Sequence, residues 1–231
     1  MRRLIRPLAV VVVLAAATLA GTGLQASARP ADPSPPAAAS ICPDASSATF
    51  GPNVCVFTPS MTQAQIQADL NAISTQQVPV ASQFDNQRYA IFFEPGTYGS
   101  KADPLVFQVG YYTEVAGLGA LPQDTVINGA VDVFNNLCTA GTSNCNADDN
   151  FWRSLSNVDL NVDLPSTTPN YAPPALDAYG AGCANSGEFW AASQAAPLRR
   201  DIINGNVVFQ DYCAADNYAS GGFLADSQVT G

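Results

Sequence analysis

The feature that most constrains this chain is its internal repetition. Val126-Ile127-Asn128-Gly129 returns as Ile202-Ile203-Asn204-Gly205, 76 positions later, and Val131 after the first copy matches Val207 after the second. A second pattern (an aromatic, three residues, serine, an amide) occurs as Trp152…Ser156-Asn157, Phe189…Ser193-Gln194 and Phe223…Ser227-Gln228, at steps of 37 and 34 residues. The longer step contains the Pro/Gly/Ser-rich stretch 165–187, which reads as an inserted loop. Similarity at such steps marks an array in which each repeat is one supersecondary unit that buries its apolar face only against its neighbours. The expectation is an all-β right-handed parallel β-helix, a solenoid in which equivalent side chains lie on top of one another. An aromatic row would fill its core, Ser-amide pairs would bond along the stack, and Asn-Gly would sit at corners, where both residues tolerate positive φ. A β-sandwich with coincidental echoes is the competing architecture.

Local patterning agrees with the array. Ser60-Met61-Thr62-Gln63 has the form of a capping box, and Ile66, Leu70 and Ile73 follow at i, i+4 and i+7. These features predict one amphipathic helix from Met61 to about Gln76, lying over the first coil's open end. After it the period changes to two. Short apolar runs at 89–93, 105–109, 111–115, 126–127, 130–134, 158–162, 202–203, 207–209 and 223–225 are separated by Gly and Asn, as expected for strands. The chain ends at Gln228-Val229-Thr230-Gly231, in mid-pattern and directly after a strand, so further coils are expected beyond it.

The first residues read as an address. Arg2, Arg3 and Arg6 precede an apolar run from Leu8 to Leu19, and Ala26-Ser27-Ala28 is a small-x-small cleavage site. This is the pattern of a secretory signal peptide over 1–28, and the apolar run is short for a membrane span. A flexible Pro/Ala-rich leader over 29–40 and a β-helix domain over 41–231 complete the organisation. An extracellular location makes the six cysteines a disulfide framework. Fifteen pairings are possible, and nearest neighbours are preferred: Cys42–Cys55, Cys138–Cys145 and Cys183–Cys213.

Charge and composition exclude several functions. The chain has 231 residues, no histidine, 9 Lys and Arg, and 19 Asp and Glu, for a net charge of −10. No Ser-His-Asp or Cys-His device is possible, no CxxC suggests a metal site, and the acidic balance opposes nucleic-acid binding. Negative charge also repels anionic polysaccharides, so a neutral polymer is the favoured partner.

The order Ile66-Gln67, Phe93-Glu94-Pro95-Gly96-Thr97-Tyr98, Val115-Ala116-Gly117-Leu118-Gly119 and Thr125-Val126-Ile127-Asn128-Gly129 resembles the opening of pectate-lyase-like right-handed β-helix proteins, including glycoside hydrolase family 55 glucanases. Asn150-Phe151-Trp152-Arg153-Ser154, the run 193–200 and Ala219-Ser220-Gly221-Gly222-Phe223 are similar to secreted actinobacterial members of that superfamily. The resemblance implies a carbohydrate-active protein, with the glucanases' general acid in a later β-helix half. The Gly-His-Gly and Arg-x-Lys of galacturonan hydrolases are absent.

Glycoside hydrolysis needs two carboxyl groups flanking the scissile bond. Asp201 and Asp226, near strands in the repeated region, are the catalytic candidates if both face outward. An ion pair of Asp201 with Arg199-Arg200 is the structural alternative. Trp152, Trp190 and Arg200 are candidates for substrate binding, and core packing is the alternative for both tryptophans. Glu94 and Glu188 read as solvated turn and loop residues, and Glu114 as outward-facing, solvated or in a groove. No metal site is assigned and no cofactor is expected, although Asp148-Asp149 offers oxygen ligands for calcium in an Asn-rich loop. The leading expectation is hydrolysis of a neutral glucan. A non-catalytic carbohydrate-binding scaffold and a calcium-assisted lyase are the alternatives.

Overall fold

A computed structural model describes residues 40–134, 150–162, 187–209 and 221–231. The expected signal peptide, most of the expected leader, Cys138, Cys145, Cys183, Cys213 and Asp148-Asp149 lie outside these residues. Every strand pairing among the described residues is parallel. The chain visits two sheets in turn. The first takes β1 (Val54–Phe57), β2 (Tyr89–Phe93), β5 (Thr113–Gly117), β7 (Arg153–Ser156), β10 (Pro197–Arg199) and β13 (Phe223–Ala225), in that spatial order. The second takes β3 (Gly96–Tyr98), β6 (Thr125–Asp132), β8 (Asp159–Asn161), β11 (Ile202–Asn204) and β14 (Gln228–Val229). Strand β4 (Leu105–Gln108) pairs with the second half of β6, and β9 (Glu188–Phe189) pairs with β12 (Val207–Val208).

Parallel register puts like positions in rows, and the rows are the core. Cys55, Ile91, Val115, Leu155 and Leu198 form one inward row, every member at most 1% exposed. Tyr98, Ile127, Leu160 and Ile203 form the facing row of the second sheet. Each fully buried aliphatic side chain contributes about 1.5–3 kcal/mol. The same rows lose cover on the last described pass, where Leu224 and Val229 are 36% and 39% exposed.

A polar row runs beside the second. Asn161 Nδ2 donates to Asn128 Oδ1, and Asn204 Nδ2 donates to Asn161 Oδ1, each at 2.9 Å. The repeated Asn-Gly therefore marks stacked positions, with Asn161 between the two copies noticed in sequence. Val131 and Val207 also correspond, one on each side of Glu188: Glu188 pairs with Val207, and its carboxyl accepts the Val131 N–H at 3.0 Å.

The aromatic–Ser–amide pattern is corrected. Trp152, Phe189 and Phe223 do not share a row. Phe223 stands opposite Pro197, Phe189 opposite Val208, and the Trp152 N–H donates to Gln194 O. The physical reason is uneven pass length. Row partners are 36 residues apart from Phe57 to Phe93, 24 from Phe93 to Gly117, 40 from Ala116 to Ser156, 43 from Ser156 to Arg199 and 26 from Arg199 to Ala225. A pattern sought at near-constant step loses phase with such a stack.

Helical expectations change as well. The main helix, α2, spans Gln63–Gln77. Its cap is Thr62, whose hydroxyl accepts the Gln65 N–H; Ser60 instead bonds the Thr58 hydroxyl in the preceding turn. Ile66, Leu70 and Ile73 are buried as the spacing requires. The edge that the helix covers is that of β4. Gln67 Nε2 donates to Val106 O at 2.7 Å while its Oε1 accepts the Val106 N–H, and Ser74 Oγ donates to Gln108 O at 2.7 Å. These side chains satisfy an edge that would otherwise invite pairing.

A second helix, α1 (Asp44–Phe50), packs beside β1 and was not expected. The Cys42–Cys55 disulfide, which was expected, joins the segment before α1 to β1. It closes a 13-residue separation, for which chain entropy gives about 3 kcal/mol. Replacing both cysteines by serine is expected to lower urea-unfolding stability by about 2–3 kcal/mol. An unchanged midpoint would show that α1 is dispensable.

Candidate functional site

A cleft of about 730 Å³ lies on the outer face of the first sheet. Its floor is an outward row, Val54, Ala90, Glu114 and Ser154, set by the register of β1, β2, β5 and β7. Its wall is the corner where chains enter those strands. Tyr112, Trp152 and Ala195 occupy that corner on successive passes, all with left-handed backbone (φ 52°, 57° and 52°). Tyr112 N–H donates to Trp152 O and Trp152 N–H to Gln194 O, so the wall is tied to the sheet ladders.

Arg88 and Arg153 brace the wall from two sides. The Arg88 guanidinium lies 3.5 Å from the Tyr112 ring centre, a cation–π contact. Arg153 points inward and is buried; it donates to Val109 O at 2.7 Å and to Phe151 O, and lies 4.5 Å from the Tyr111 ring centre. Burial lowers its pKa to about 10, which leaves it charged at neutral pH and able to hold the segment that carries Trp152.

The two tryptophans separate. Trp190 is fully buried, its indole N–H donating to Ala196 O at 2.9 Å, and it packs the core. Trp152 is 59% exposed and lines the cleft. Arg200 sits at the opposite corner, donating to Ala120 O, and does not line the cleft.

Asp201 and Asp226 lie on neighbouring passes but do not both face outward. Asp201 is buried and accepts the Val158 N–H at 3.2 Å. Burial pushes its carboxyl up to about 8, against the backbone hydrogen bonds of Val158, Arg199 and Asn157. Asp226 is exposed at the Arg200 corner and pairs with Arg199 at 3.3 Å. The ion pair expected for Asp201 thus belongs to Asp226, because the register sets Arg199 beside Ala225.

Glu188 is fully buried rather than solvated in a loop. Burial and then the neighbouring Asp132 charge raise its carboxyl well above the usual range. Glu94 is exposed, as expected, in a corner closed by Tyr98 Oη donating to Glu94 O and Phe57 O. Among the described residues lining the cleft, Glu114 is the one carboxylate. The cleft therefore offers an aromatic face and polar groups to a sugar, but not the pair of carboxyls that hydrolysis requires. No cluster of three or more His, Cys, Asp or Glu suited to a metal occurs among the described residues.

Tyr112, Phe151 and Arg88 were not among the candidate site residues read from sequence. The available signal was the pair of aromatic dipeptides Tyr111-Tyr112 and Phe151-Trp152, each followed by a two-period strand.

Stacked parallel sheets with an aromatic outer cleft define the class, and the comparisons define the relationship within it. No family model matches the chain. It is 38% identical over 184 residues to an exo-β-1,3-glucanase of Streptomyces sp. (strain SirexAA-E / ActE), covering 79% of this chain and 24% of that protein. The structure of sacteLam55A from Streptomyces sp. SirexAA-E matches with a TM-score of 0.57 at 37% identity, covering 78% of this chain and 26% of the other. A variant of that protein in complex with glucose matches with a TM-score of 0.55 at 37% identity, covering 77% and 26%. The chain is a homologue of part of a glycoside hydrolase family 55 exo-β-1,3-glucanase. It spans about a quarter of the length of the relatives it matches. Among the described residues no helix is long and apolar enough to cross a membrane.

Proposed function

We propose that this chain is a secreted right-handed parallel β-helix that serves glycoside hydrolysis of a neutral β-glucan. The carrying observation is its 38% identity, over most of its own length, to an exo-β-1,3-glucanase. Parallel pairing throughout the described strands supports the helix, and the net charge of −10 favours an uncharged polymer over a polyanion. A non-catalytic, glucan-holding reading is favoured by one specific observation: Glu114 is the single carboxylate among the described residues that line the outer cleft.

One assay separates the two. The chain is incubated with laminarin, a soluble β-1,3-glucan, and with polygalacturonate, with and without a calcium chelator. Glucose release from laminarin alone is the result expected for a hydrolase. Retention on immobilised laminarin without release gives the holding reading. Chelator-sensitive cleavage of polygalacturonate would replace both with a lyase.

A further inference from the structure

Trp152 is hard to account for by packing or by backbone preference. Its indole is 59% exposed, so the core does not need it. Its φ of 57° is a region where glycine and asparagine are cheap and a bulky residue costs about 1–2 kcal/mol. The opposite corner shows what the geometry alone accepts: Asn157, Arg200 and Asp226 hold the left-handed positions there. An exposed indole held in a strained conformation is the kind of outlier that points to use.

Its neighbours make a shelf of it. Phe84 lies 6.0 Å from Phe151, Phe151 lies 6.3 Å from Tyr112, and Tyr112 lies 6.4 Å from Trp152, each between ring centres. Phe84 is 79% exposed at the far end. Tyr112 is spoken for, with Arg88 over its ring and its hydroxyl donating to Gln83 O at 2.8 Å. That leaves the indole of Trp152 as the open aromatic face beside the polar floor of Glu114 and Ser154. An apolar ring face next to hydrogen-bonding groups matches a hexose, which presents C–H bonds on its faces and hydroxyls at its edge.

We propose that the strip Phe84–Phe151–Tyr112–Trp152 is a binding shelf for a neutral β-glucan chain, with Trp152 the stacking platform, and that it holds the polymer without cleaving it. The proposal rests on the glucan reading above and adds a site to it. Strip length favours a polymer over a single sugar. Among the described residues that line the cleft Glu114 is the one carboxylate, so they do not supply the carboxyl pair that hydrolysis uses.

The chain's two tryptophans make the test direct, because Trp190 is buried and Trp152 is not. Laminarin is titrated while tryptophan emission and acrylamide quenching are followed. The expected result is a blue shift with loss of the quenchable component. Trp152→Ala is expected to bind about tenfold more weakly, and Trp152→Phe to recover most of the affinity. The buried Trp190 emission, unchanged, reports that the variants are folded. Equal laminarin affinity in Trp152→Ala overturns the shelf and leaves the glucan reading standing. Failure of the unmodified chain to bind laminarin overturns both. Loss of self-association in Trp152→Ala by sedimentation, with laminarin affinity intact, would assign the strip to a contact between copies instead.

Discussion

Asp201→Asn is expected to make the protein more stable at pH 8 and to flatten its pH dependence. The folded carboxyl titrates at about 8, while an aspartate in the unfolded chain titrates near its ordinary value of 3.8. Between those values the folded state binds the extra proton, so stability falls as pH rises. The contribution is fully present below about pH 4 and is lost progressively up to about pH 8. The slope for one such group is about 1.4 kcal/mol per pH unit, or at most about 4 kcal/mol from pH 5 to pH 8. For a chain of this size that is a fall in Tm on the order of 10 °C. Glu188 is shifted in the same direction, so part of the slope remains in the variant. Asparagine keeps an oxygen for the Val158 N–H and carries no charge to desolvate. Thermal unfolding at pH 5 and pH 8 checks this. Equal slopes for the two proteins would show that the carboxyl is ionised and solvated in the folded state.

Gly129→Ala is expected to be the most damaging small substitution in the described residues. Gly129 stands opposite Leu105 where β4 joins β6. A methyl group on it would collide with the Leu105 carbonyl oxygen and lie 2.6 Å from its carbonyl carbon, both backbone atoms that cannot rotate away. The pairing of β4 with β6 must open, and α2 rests on β4 through Gln67 and Ser74. A loss of about 4 kcal/mol or more is expected, seen as insoluble expression or a collapsed denaturation midpoint. Gly51→Ala is the control. It meets nothing within 4 Å but sits at φ 98°, so only a backbone cost of about 1–2 kcal/mol applies. Equal effects at the two positions would contradict the close approach of β4 to β6.

Sequence made the architecture legible where chemistry is tied to position. The two Asn-Gly motifs were recognisable because the asparagine row repeats one side chain on three successive passes. Asn161 escaped notice because Val162 follows it instead of glycine. Ile66, Leu70 and Ile73 were legible because a helix has a fixed period, whereas Thr62 lost to Ser60 because two candidate caps lay within one turn. The aromatic pattern misled because passes of 24 to 43 residues share no step. The site was harder still. Whether an acid points inward is decided by register, and register placed Asp201 in the core and Asp226 against Arg199 although both adjoin strands. Trp152 and Trp190 look alike in sequence; one stands at a corner and the other on an inward face.

The central claim is that this fold engages a neutral β-glucan, and titration calorimetry tests it most directly. Laminarin and polygalacturonate are injected separately into the chain at moderate ionic strength. A saturable heat with laminarin and none with polygalacturonate is the expected result. Saturation with polygalacturonate alone would contradict it.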